Sequence, residues 1–366
     1  MKFFIIIIIA AIIYGMYHFR EKWLPKLRGI GDTYQTVVND GKLAEGNFPI
    51  EIFGESNYQL EYSSDVLFLL NDAYIYLYNQ EGGLLDSRQH AYSNAILKAS
   101  AGKALIYESG GYKLRVEGKN KTSYSATMEH PIIFARISAD GFVAAVTTSG
   151  NFTCELTIYD NKGKVVYVRE CVERIIDISF MNGSVGAMIS YVMEINGALV
   201  TEFEKASFTS AEAKHKSNPV SSYCLMSNIY NGGAVIIGDL NCAYFNDLGN
   251  IAMTYDYDGK FAGCDISGES AAIILKNEER RKYSLVLIKN AQTFPVVINS
   301  DEEFRHVLIY NGLVYAMSGG SIRAYDFSGQ IRSTATISDS YDHFRRCDRY
   351  IFLMNYDRID RIDYDS

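Results

Sequence analysis

Several signals that would assign a chemistry are missing from this 366-residue chain. No stretch after residue 30 keeps a helical period of 3.6, which excludes α/β barrels and doubly wound folds. Proline is scarce, at 5, so few backbone donors are lost from sheet ladders. The net charge is −8 and no long basic run occurs, which argues against a nucleic-acid partner. The six histidines never stand at i, i+2 or i, i+4, and no C-x-x-C occurs among the six cysteines, so no metal site is expected. No nucleophile elbow, P-loop or dinucleotide fingerprint appears in a fitting context, so no cofactor is expected and no reaction is assigned.

What the chain does have is tyrosine, 28 of them, and an alternation that begins at Phe48 and hardly stops. Tyrosine suits a pleated, half-buried surface. The clearest unit runs from Cys154 to Cys171, two β-rich runs around the turn Asp160-Asn161-Lys162-Gly163. Asp and Asn start such a turn, and Gly supplies the positive φ that closes it. The same aromatic-Asn/Asp-x-x-Gly turn recurs at residues 78–82, 245–249 and 325–329. These turns lie about eighty residues apart, roughly twice the length of a four-stranded propeller blade. Third strands are expected at Tyr74–Tyr78, Lys113–Glu117, Cys154–Tyr159, 242–245, 283–288, 322–325 and 358–364, with a weaker one near 200–203. The fold class is therefore all-β, a β-propeller of eight four-stranded blades, or seven if the weak repeat is an insertion. Familiar propellers dock their blades with tryptophan. Here the single one, Trp23, lies outside the repeats, which argues against a quinoprotein.

Residues 3–17 are uncharged and include five consecutive isoleucines, and no small-residue cleavage site follows. Residues 1–19 are thus expected to be a transmembrane anchor, 20–46 a juxtamembrane connector and 47–366 the propeller. Positive charges after the run favour a cytoplasmic body, whereas six cysteines with a pairing favour the outside, and the outward reading is preferred. The repeat runs out at Tyr364, so the last blade lacks a fourth strand. Residues 48–53 should supply it by pairing antiparallel with 358–364.

Inner strands carry a second mark, a charge two residues before a serine, at Lys98, Arg136, Asp177 and Asp265. His306 and Arg346 fall near the corresponding places of later repeats. Inner strands line the channel, so these six residues are candidates for a ligand-binding ring, with an anionic or zwitterionic ligand in view. The plain alternative is a wet channel wall. A four-residue turn with Asp160 facing Val165 sets Cys154 opposite Cys171, which makes them a disulfide candidate. Asp357, Asp360, Asp363 and Asp365, interleaved with Arg358 and Arg361, read as a solvated face.

The chain also resembles a domain-of-unknown-function family of membrane-anchored bacterial propeller proteins. The resemblance rests on the stretches 32–40, 47–52, Ser87-Arg-Gln-His90, Tyr112-Lys-Leu-Arg-Val-Glu117 and Cys154-Glu-Leu-Thr157. It implies a single-pass envelope protein with a β-propeller and carries no activity. Two functions stay in view. One is a non-enzymatic, membrane-tethered scaffold outside the cytoplasm that binds a protein or envelope polymer. The other is an envelope enzyme, a glycan-active hydrolase with carboxylates at the channel mouth.

Overall fold

A run of five or six apolar residues can be a strand only if both of its faces are covered. Val66–Leu70, Val143–Thr147 and Gly233–Gly238 are buried at every position. Stacked blades provide that cover. The computed structural model describes residues 37–39, 47–52, 58–209 and 216–364. Among them, eight antiparallel sheets follow one another as blades in a closed β-propeller. The sheets span residues 59–89, 95–127, 132–171, 174–207, 224–256, 260–300, 304–336 and 343–363. The sequence-derived anchor lies outside the described residues. No helix among the described residues is long and apolar enough to cross a membrane.

Within each blade the chain climbs the inner strand and works outward. The second strand makes the core. The fourth, such as Leu84–Gln89 or Ile251–Asp256, alternates exposed and half-buried at the rim. The recurring turns share one geometry. Asp160 Oδ1 accepts the backbone N–H of Lys162 and of Lys164, both at 2.9 Å, and Gly163 takes φ +87°. Asn79, Asn246 and Asp326 accept in the same way, beside Gly82, Gly249 and Gly329. These turns sit in blades one, three, five and seven, so the mark appears in alternate blades.

The weak repeat is blade four. Its second and third strands, Gly186–Ile195 and Ala198–Ser207, form a ten-residue hairpin. Among the described residues its rim carries two isolated bridges, Thr201↔Val220 and Glu204↔Lys216. Blade eight contains three strands from the C-terminal repeat and one from the N-terminal side. Ile50 pairs with Ile359 and Glu51 with Arg358, and Ile52 N–H donates to Asp357 O at 2.7 Å. Phe48, Ile50 and Ile52 are buried in one cluster with Leu60, Phe352 and Ile359. Outside that closure, Val37–Asn39 runs parallel along Ile331–Thr336, the outer strand of blade seven.

The C-terminal charges are only in part a solvated face: Asp363 is exposed, but Asp360 and Arg361 are not. Asp360 is buried and accepts from Tyr341 Oη at 2.7 Å and Arg358 Nε at 2.9 Å. The Arg361 guanidinium is buried 4.1 Å from the Tyr350 ring centroid and 5.3 Å from that of Phe48. Ring closure puts this strand between neighbours, so its charges must find partners there.

Candidate functional site: the channel and the two ends of the disc

In six blades the side chain two residues before the serine near the end of the inner strand, or before Cys347 in blade eight, stands at one level of the channel wall. That level carries Glu61, Lys98, Arg136, Asp177, Asp265 and Arg345. Arg136 bonds Asp177 through Nε at 3.0 Å and Nη2 at 2.9 Å. The other oxygen of Asp177 accepts Ser227 N–H at 2.7 Å and Ser227 Oγ–H at 2.9 Å. Blades three, four and five are thereby stitched together. Arg345 reaches Glu61 at 3.3 Å and joins blade eight to blade one. Asp265 accepts Ile309 N–H from blade seven at 2.6 Å, while burial pushes its carboxyl up to about 6.

Lys98 differs from the others. Its ammonium makes no hydrogen bond or ion pair among the described residues, and burial, the largest influence, draws it below the usual lysine value. Burying a charge without a partner disfavours the charged form.

His306 lies one step along the wall, its ring centroid 5.1 Å from that of His343 and 4.8 Å from Phe344. Its Nδ1 is buried without a partner among the described residues, and burial drives the imidazole down to about 3, so it stays neutral. Arg346 is not brought to the ring. Its guanidinium lies between blades, 4.4 Å from the centroid of Tyr364 and 5.2 Å from that of Tyr315, and it donates to Cys347 O and Tyr350 O. The channel position belongs to its neighbour Arg345, because one residue along a strand reverses the face. Sequence reasoning missed Glu61 although Glu61-Tyr62-Ser63 shows the charge-x-serine mark. Arg345 had no such signal, since Cys347 stands where the serine would be.

Cys154 and Cys171 face each other across their hairpin, both buried and both thiols in this structure. The register differs from the simple four-residue turn. Tyr159, not Asp160, faces Val165, and a bulge after Ile158 restores the cysteine pairing. A hydrogen bond from Cys171 draws the Cys154 thiol down to about 7 and pushes its partner up. The stretches that carry the family resemblance meet in another buried group. Glu117, fully enclosed, binds Arg88 Nη1 and Arg115 Nε, each at 2.7 Å, and Thr122 Oγ1 at 2.9 Å. That network ties blade one to blade two.

The disc has two ends. At the proximal end lie the connections from first to second and from third to fourth strands. Residues 47–49 come in here too: a Cβ on Gly82, in blade one's outer turn, would stand 2.9 Å from Asn47 O. The distal end carries the second-to-third connections and the crossings between blades. Exposed Tyr112, Phe152, Tyr223 and Tyr356 ring the distal end, Tyr356 with 78% of its surface free. Carboxylates crowd the same end at Glu278, Glu279, Asp301, Glu302, Glu303 and Asp357. The proximal end holds a cleft of about 440 Å³ between blades three and four, lined by Phe142, Lys164, Val165, Val166, Val185 and Phe208 among others.

Residues 45–363 match the family described as "Family of unknown function (DUF5711)". No curated protein matches. Among solved structures, BamB from Moraxella catarrhalis is 10% identical, with a TM-score of 0.58 over 88% of this chain and 99% of that one. Saccharomyces cerevisiae Sqt1 is also 10% identical, with a TM-score of 0.62 over 90% of this chain and 100% of that one. At such identity the likeness is one of fold.

Proposed function

The chain belongs to the DUF5711 family of unknown function, and we propose that it is a membrane-tethered propeller whose distal end binds a protein partner outside the cytoplasm. The observation that carries this reading is the set of exposed aromatics on the distal loops. Tyr112, Phe152, Tyr223 and Tyr356 come from four different blades and stand in a polar, acidic surround. Rigid aromatic anchors with a polar rim are what protein interfaces use for most of their binding energy. The tether reading rests on the apolar run at residues 3–17 and on the proximal arrival of residues 47–49.

The glycan-hydrolase alternative needs two free carboxylates in the channel. Asp177, Glu61 and Asp265 each bond to a neighbouring blade, which favours the scaffold. The test is photo-crosslinking in intact cells, with the reactive side chain placed at Tyr112, Phe152 or Tyr356. A common protein captured from these positions, and not from the proximal Phe294, is expected. Failure of all three to capture any protein would refute the reading, as would release of sugar from envelope glycan by the purified chain.

A further inference from the structure

We infer that the proximal end of the disc rests on an anionic phospholipid surface, an inference that builds on the tether reading. Its first support is charge. Lys119 and Lys121 occupy the outer turn of blade two, and Lys162 and Lys164 that of blade three. All four are exposed, and none forms an ion pair among the described residues. Blade two's outer strand lies against the blade-three turn, since a Cβ on Gly163 would stand 2.5 Å from the Tyr124 ring.

Several carboxylates of the same end are turned onto protein donors. Asp140 accepts from Ser184 Oγ at 2.9 Å, Asp348 from Tyr310 Oη at 2.6 Å, and Asp160 and Asp326 from their own turns. The lysines are left facing outward.

The second support is apolar. Val165 and Val166 of blade three, Val185 of blade four, Leu248 of blade five and Phe294 of blade six all project from this end, Phe294 with 95% of its surface free. Five points spread over four blades define a plane, which suits a flat surface better than a groove-filling peptide. Lysine beside exposed aliphatic and aromatic tips is the composition of an interfacial lipid contact. The third support is direction. Asn47 lies at this end, beside Gly82, and the acidic distal loops point the other way, so an anionic leaflet would attract one end and repel the other.

The test is lysine acetylation, mapped by mass spectrometry, on the full chain reconstituted into vesicles. One set is phosphatidylcholine and the other contains a third of phosphatidylglycerol. Acetylation of Lys119, Lys121, Lys162 and Lys164 is expected to slow about fivefold or more in the anionic vesicles. The exposed distal Lys113 and Lys282 should react equally in both. Phe294→Ser should restore part of the proximal reactivity, and its melting temperature serves to show that the disc is intact. A chain that floats with the vesicles but labels alike in both lipids overturns the docking alone. A chain that floats with neither overturns the docking and the tether together.

Discussion

Asp265→Asn should make the protein more stable at neutral pH and leave it unchanged in acid. The Asp265 carboxyl titrates at about 6 in the folded chain because burial disfavours its charge. An unfolded aspartate titrates near 4, so the difference is about two units, roughly 2–3 kcal/mol. The sign follows from which state holds the proton. Between pH 4 and 6 the folded state keeps a proton that the unfolded state has released, so stability falls as pH rises through this window. Above it, the native state carries the full cost of a buried carboxylate. Asparagine keeps an acceptor for Ile309 N–H, now 2.6 Å from the carboxylate, and carries no charge. For a propeller of this size the gain corresponds to about 3–5 °C in melting temperature at pH 7.5, vanishing near pH 4. Scanning calorimetry of wild type and variant at both pH values measures it. A variant that melts lower at pH 7.5 would show that the charge on Asp265 is a net benefit, and would refute the reasoning.

Lys98 and Arg136 should part company. Lys98→Met removes an unpartnered buried charge and should leave the melting temperature unchanged or raised, whereas Arg136→Met strands Asp177 and should cost about 3 kcal/mol in a denaturant titration. If the ring takes an anion, Lys98→Met should abolish the calorimetric heat of binding. Cys154 and Cys171 should form a disulfide in an oxidising compartment, worth roughly 3 kcal/mol or less, and mass mapping without reductant would find the joined peptides. Deleting residues 355–366 removes the strand that holds Ile50 and Glu51, and the melt should lose its cooperativity rather than merely shift.

The eight-bladed fold was legible because the turn geometry is local. Asp160, Gly163 and their counterparts need no distant partner, so their spacing shows directly in the sequence. Blade four was faint for the converse reason: its rim is made by bridges to Val220 and Lys216, and no turn mark announces them. The channel was half legible. The charge-x-serine mark found the level of Lys98, Arg136, Asp177 and Asp265 and could have found Glu61. Arg346 rested on repeat position alone and falls one residue off, because alternation cannot say which of two arginines faces inward. Asp360 and Arg361 misled because alternating charge reads as a solvated face even on a strand that the expected pairing with residues 48–53 sets between neighbours. The distal aromatics and proximal lysines form faces only after the ring closes.

The strand that completes blade eight also decides how the disc answers a pull. Residues 47–49 lie toward the proximal end, in line with Ile50 and Glu51, so once Val37–Asn39 has come off blade seven, tension reaching Asn47 runs along the strand and not across it. The ladder is then loaded in shear, and its bonds must fail together instead of one after another. Phe48, Ile50 and Ile52 would have to be dragged out of their shared cluster in the same movement, with Phe48 still held 5.9 Å from Phe352. A two-residue ladder thus works as a latch, weak against peeling and firm against traction from the side on which the chain arrives.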